Sequence, residues 1–135
     1  MADLRAGLGH GVPDWLRVAR WIPYEDVLPH VDAFVTNGGY TGVTLALAHG
    51  VPLVQVGSSE EKAEIGARIA WSKVGVRLRW RPTRWRLRRE VRRALDDPAI
   101  RTAVDGMRAS FARHDAAGEA ADALEELART RAPLT

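Results

Sequence analysis

The chain has 135 residues, 46% of them hydrophobic and 27% charged, with no cysteine and a formal net charge of +3. That length suffices for one domain and is short for two, and the composition is that of an ordinary globular protein, which excludes wholesale disorder. Without cysteine there is neither a disulfide framework nor a thiolate metal site. No apolar run is long enough to span a bilayer, and Met1–Gly9 lacks a signal-peptide pattern, so a cytoplasmic protein with no membrane partner is expected.

Residues 1–14, with Gly7, Gly9, Gly11 and Pro13, read as a leader loop, residues 15–131 as the domain, and 132–135 as a fraying tail. Leu16 to Trp21 alternates apolar and basic side chains, which predicts a strand with one exposed face, ended by Pro23. Tyr24 to Pro29 predicts a single helical turn with Glu25 and Asp26 at its positive end. Asp32 to Thr36 is short and almost wholly apolar, the pattern of a parallel strand buried on both faces. A buried helix follows over Tyr40 to His49, with Gly50 at the position of a C-terminal glycine and Pro52 beyond it.

Val51 to Val56 predicts a second buried strand, and Gly57-Ser58-Ser59 a turn whose serines can cap the next helix. Ile65, Ile69 and Ala70 form the apolar stripe of a helix over Glu60 to Lys73. Val76 to Trp80 predicts a third strand. Leu87, Val91 and Leu95, then Ile100, Val104, Met107 and Phe111, then Leu124 and Leu127 mark three more helices, the first ended by Asp96-Asp97-Pro98 and the last spanning Ala120 to Ala128. Strands separated by helices predict an α/β fold: a Rossmann-like parallel sheet with helices on both faces.

Charge is unevenly spread. Arg77, Arg79, Arg81, Arg84, Arg86, Arg88, Arg89, Arg92 and Arg93 are relieved only by Glu90. A basic run of this kind is either an electrostatic footprint or the solvated face of a helix. No RNA-binding aromatic signature or zinc-finger spacing accompanies it, so no nucleic-acid partner is expected.

The strongest local signal is a buried strand running directly into Thr36-Asn37-Gly38-Gly39-Tyr40-Thr41-Gly42, with a helix opening inside it. Glycines let the backbone come close to a ligand, and the first free N–H groups of the helix point at it, which makes an anion site suited to a diphosphate. Such turns lie at the carboxyl ends of strands, where open α/β sheets bind ligands. The neighbouring strand ends offer an aromatic face, Trp21-Ile22-Pro23, and a charged set, Glu60-Glu61-Lys62. A base can stack on the indole, a diphosphate can sit on the helix start, and sugar hydroxyls can bond the charged groups.

Over these residues the chain resembles the C-terminal donor domain of family 1 glycosyltransferases of the GT-B fold, which include UDP-glycosyltransferases and bacterial enzymes that decorate natural products. The resemblance runs through WIPYEDVLPHVDAFVTNGGYTGVTLALAHGVPLVQVG and EEKAEIGARIAWSKVGVRL, and is less specific in the later helices. It implies a nucleotide-sugar co-substrate with a UDP or dTDP nucleotide, no further cofactor, and no metal.

By the same resemblance, Trp21 stacks on the base, Ile22 reaches its edge through the backbone, and Tyr24 adjoins it where many members carry glutamine. Asn37, Gly38, Gly39, Tyr40, Thr41 and Gly42 form the diphosphate turn, Asn37 standing for a usual histidine and Gly42 for a common serine. Glu61 and Lys62 match the acid–glutamine pair that holds the donor sugar; an exposed helix start accounts for an acid there equally well. Leu45 occupies the place of the glutamate that grips the ribose hydroxyls, and Thr44 is at best a weak substitute.

The resemblance also implies an inverting transfer that needs a base, commonly histidine, from an N-terminal acceptor domain. None of His10, His30, His49 and His114 matches that base, so no catalytic residue is assigned within the chain. The family's donor domain ordinarily has a strand, a helix and a second strand before the part matching Leu16, and residues 1–14 are too few to supply them. The expectation is therefore a truncated donor domain that needs a separate N-terminal half for turnover and self-associates through an uncovered strand edge. A non-catalytic nucleotide-sugar-binding or regulatory module is the alternative, and an interaction protein using its arginine belt a third.

Overall fold

The computed structural model describes residues 13–57, 60–79 and 81–130, with the backbone alone described for Glu60 and Glu61. The leader up to residue 12, Ser58-Ser59, Trp80 and the tail from 131 lie outside the described residues.

Three parallel strands form one sheet in the order β1 (Phe34–Thr36), β2 (Leu53–Val56), β3 (Gly75–Leu78). The register sets Phe34 beside Leu53 and Gly75, and Thr36 beside Gln55 and Arg77, so these side chains share one face. Helices α2 (Tyr40–Ala48) and α3 (Glu60–Trp71) are the crossovers between consecutive strands and cover that face. From the opposite face α4 (Arg84–Asp96) packs on β2 and β3. Helix α5 (Pro98–Ala112) lies against α2, and α6 (Ala116–Thr130) closes the described chain with no buried residue. A Rossmann-like parallel sheet with helices on both faces is thus the observed fold.

The core gathers Val43, Ala46 and Leu47 of α2, Leu53 and Val54 of β2, Ile69 of α3, Val76 and Leu78 of β3, and Ile100 and Val104 of α5. Local sequence sets the boundaries. Gly50 takes φ +75° just past the C-cap His49, its N–H bonds Leu47 O at 3.0 Å, and the Val51 N–H bonds Ala46 O at 2.8 Å. This paired closure of a helix end needs a left-handed residue, which glycine adopts without penalty. Thr83 caps α4 by accepting from the Arg86 N–H at 3.3 Å, and Asp97 caps α5 by accepting from Ala99 at 3.0 Å with Pro98 in the first turn.

Three expectations are corrected. Leu16–Trp21 is not a strand. Its alternation is real, because Leu16 and Val18 are half-buried while Arg17 and Ala19 are exposed, but no described strand offers it a ladder, and alternation without a partner leaves an extended segment. β1 is not buried on both faces: it is the sheet edge, α4 packs mainly on β2 and β3, and Val35 remains 48% exposed. The last helix is longer than its apolar pattern suggests, starting at Ala116 rather than Ala120 and ending at Thr130. The predicted turn at Tyr24 is observed as α1 (Tyr24–Val27), which continues as a tight turn over Leu28–His30.

Candidate nucleotide-sugar site

The diphosphate turn lies where β1 gives way to α2. Gly38 takes φ +91°, and its N–H is held by Thr36 Oγ1 at 3.1 Å. The Gly39 N–H is held by Asn37 Oδ1 at 3.3 Å. Both of these glycine amides are thus tied within the turn by side chains of the same turn. The donors left are those of the first turn of α2, Tyr40, Thr41 and Gly42, since no side chain caps this helix. Tyr40 is 71% exposed and Thr41 is exposed, so the helix start opens to solvent.

Gly42 is buried for a reason the sequence did not disclose. A Cβ there would meet the Tyr24 ring at 3.2 Å and the Phe34 ring at 3.4 Å. Tyr24 and Phe34 themselves pack edge to face, centroids 5.5 Å apart. The missing serine is therefore exchanged for room in which α1 docks onto α2, and Tyr24 serves as much to position α1 as to line the site.

Trp21, Ile22 and Tyr24 come together in a cleft of about 780 Å³, shared with Arg20, Glu25, Asp26 and Leu45. Trp21 is 76% exposed, an indole held at a cleft wall rather than in the core. Leu45 stands five residues into α2 from Tyr40, roughly 7.5 Å along the helix axis. Leu45 is the residue of α2 that lines the cleft, while Tyr40, Thr41 and Gly42 at the helix start do not line it.

At the next strand end, Gly57 follows β2 so closely beside the turn that a Cβ on it would be 3.2 Å from the Asn37 carbonyl oxygen. Lys62 is half-buried in the first turn of α3. The Glu61 side chain lies outside what is described. One residue went unnoticed in the sequence reading. Gln55 on β2 is fully buried, its Nε2 donates to the Lys62 carbonyl at 3.1 Å, and its Oε1 has no partner among the described residues. A polar residue inside the otherwise apolar run Val51–Val56 was the signal that could have found it.

The arginine belt is divided. Glu90, buried on the inner face of α4, pairs with Arg89 at 2.6 Å and Arg93 at 3.9 Å, and Arg93 also reaches Asp97 at 3.5 Å. Arg84, Arg88 and Arg92 remain on the outer face around Trp85, which is 85% exposed. Among the described residues no His, Asp or Glu cluster could hold a metal, and no helix is long and apolar enough to cross a membrane.

Residues 2–127 match the family described as the erythromycin biosynthesis protein CIII-like C-terminal domain. The chain belongs to this family. Its curated relatives include 4′-demethylrebeccamycin synthase of Lentzea aerocolonigenes, 50% identical over 117 residues, which are 86% of this chain and 28% of that protein. Demethyllactenocin mycarosyltransferase of Streptomyces fradiae is 36% identical over 129 residues, 92% of this chain and 28% of that protein. Among solved structures, the calicheamicin glycosyltransferase CalG4 superposes with a TM-score of 0.82 at 34% identity, covering 96% of this chain and 34% of that one. The glycosyltransferase VinC, solved in complex with dTDP, superposes with a TM-score of 0.71 at 26% identity, covering 78% of this chain and 27% of that one. The chain spans less than a third of the length of the curated relatives it matches. It is a glycosyltransferase C-terminal domain of the GT-B fold.

Proposed function

We propose that this domain binds the donor nucleotide sugar of an inverting glycosyltransferase, with a deoxythymidine nucleotide preferred over a uridine one. The observation that carries the reading is that one helix, α2, has an uncapped start and further along contributes Leu45 to a cleft walled by Trp21. The base stacks on Trp21, and the diphosphate takes the N–H groups of Tyr40, Thr41 and Gly42. The start of α3, with Glu61 and Lys62, turns toward the sugar. In the transfer, the acceptor oxygen attacks the anomeric carbon from the face opposite the diphosphate. The anomeric C–O bond breaks toward the diphosphate, and the acceptor proton passes to a base. That base belongs to an N-terminal acceptor half, in keeping with relatives more than three times the length of the matched segment. Within this chain, the helix start stabilises the charge gathering on the departing diphosphate, a task that needs no metal and no further cofactor. The outer arginines of α4 are a solvated face in this reading, and the reaction is cytoplasmic.

The nucleotide preference follows from Leu45. A ribose 2′-hydroxyl beside this side chain loses water and gains no acceptor, at a cost of about 1 kcal/mol, or about fivefold in affinity. Calorimetric titration with dTDP, UDP, GDP and ATP tests the reading, and dUDP against UDP isolates the hydroxyl. We expect dTDP and dUDP to bind more tightly than UDP, and Leu45→Glu to narrow or reverse the difference. Binding of none of the four sinks the donor-site reading; equal binding of dUDP and UDP sinks the part assigned to Leu45.

The free edge of β1 bears on oligomeric state. No described strand pairs with its outer side, and Val35 at its centre is half exposed. Unpaired N–H and C=O groups on an apolar edge invite another strand. The chain by itself is expected to self-associate with rising concentration in sedimentation velocity, and a constant monomeric mass across the range would refute this.

A further inference from the structure

Two polar side chains are buried among the described residues. Glu90 is matched by Arg89 and Arg93, whereas among the described residues Gln55 hydrogen-bonds only backbone and leaves Oε1 unpaired. A leucine or methionine of similar volume would fill the same space with no orphaned oxygen, so packing alone does not account for an amide here.

Its surroundings do. Nε2 donates to the Lys62 carbonyl at 3.1 Å and to the Gly57 carbonyl at 3.5 Å, tying the end of β2 to the first turn of α3. On its other side the same amide lies under the diphosphate turn, where a Cβ on Gly38 would come within 2.9 Å of Nε2. Oε1 abuts Gly66 of α3, where a Cβ would collide with it and with the Arg77 side chain. One fully buried side chain therefore touches both the diphosphate turn and, through the Lys62 carbonyl, the first turn of α3.

We infer that Gln55 is a positioning residue that sets the start of α3, and with it Lys62, at a fixed distance from the diphosphate turn, so that the donor's sugar and diphosphate are held together. The inference rests on the donor-site reading above. Trp21 and its cleft belong to another segment and make no contact with Gln55, so the nucleotide portion is less affected by its loss.

The test is the ratio of dTDP-glucose affinity to dTDP affinity, measured by calorimetry on the chain and on Gln55→Met and Gln55→Leu, with thermal unfolding to confirm folding. The chain is expected to favour dTDP-glucose, and the variants to lose about fivefold of that ratio, the worth of one hydrogen bond, with a smaller change for dTDP alone. A purely structural role would lower both affinities together and leave the ratio unchanged, which overturns the inference. So does a failure of both variants to fold cooperatively, which would make Gln55 a core residue. Equal binding of dTDP and dTDP-glucose by the unaltered chain overturns the Gln55 role while the nucleotide reading stands. Binding of neither overturns the donor-site reading and this inference with it.

Discussion

Trp21→Ala should weaken dTDP binding about tenfold, because base–aromatic stacking is worth about 1–3 kcal/mol per base and tenfold is about 1.4 kcal/mol. The indole is 76% exposed in the free chain, so truncating it opens no cavity and leaves the core intact. Stability by urea unfolding should accordingly change little, while the calorimetric affinity falls. Trp21→Phe, which keeps an aromatic face, should recover part of the loss. Equal affinity for the chain and Trp21→Ala would mean that the base lies elsewhere, and a matched loss of stability would make Trp21 a structural residue.

The second large effect is expected from Gly38→Ala. At φ +91° an L-residue sits in sparsely populated backbone space at a cost of about 1–3 kcal/mol. The new methyl would also press on Gln55 Nε2 at 2.9 Å, and that amide is held by the Lys62 carbonyl, so it yields only by giving up a bond. The turn must therefore shift, carrying the first N–H groups of α2 with it. We expect a stability loss of about 2 kcal/mol and a loss of dTDP affinity of about tenfold or more, measured where the variant is still folded. Gly106→Ala serves as control: it lies within α5 with nothing inside 4 Å of a Cβ, and should stabilise the helix by about 0.5–1 kcal/mol. Wild-type stability and affinity in Gly38→Ala would show that the turn carries no such constraint.

Strand and helix identities were legible where a period was reinforced by punctuation. The helix over Tyr40 to His49 ended at Gly50 because that glycine takes φ +75°, and Asp96-Asp97-Pro98 ended α4 and began α5. Leu16–Trp21 misled because alternation records which side faces inward, whereas a strand also needs a neighbour to hydrogen-bond, and a single segment does not disclose one. The same limit explains Val35, whose burial depends on whether a helix reaches the sheet edge.

In the candidate site, the glycine turn followed from the end of β1, which sets it at the carboxyl rim of a parallel sheet, whereas Trp21, Ile22 and Tyr24 end no strand and were indicated by the family resemblance. The division of labour inside the turn followed from neither. That Thr36 and Asn37 consume the Gly38 and Gly39 amides, and that Gly42 makes room for Tyr24, are matters of side-chain geometry at contact distance. Gln55 escaped notice because one polar residue in an apolar run reads as an exception until its partners on two other segments are seen.

The most direct test of a nucleotide seated between Trp21 and the start of α2 is an amide chemical-shift titration of the isotope-labelled chain with dTDP. The account predicts that the largest shifts fall on Trp21 and Ile22, including the indole N–H, and on Tyr40, Thr41 and Gly42, saturating together with one dissociation constant. Shifts confined to the arginine-rich face of α4, or an absence of saturable shifts at Trp21 and the α2 start, would contradict it.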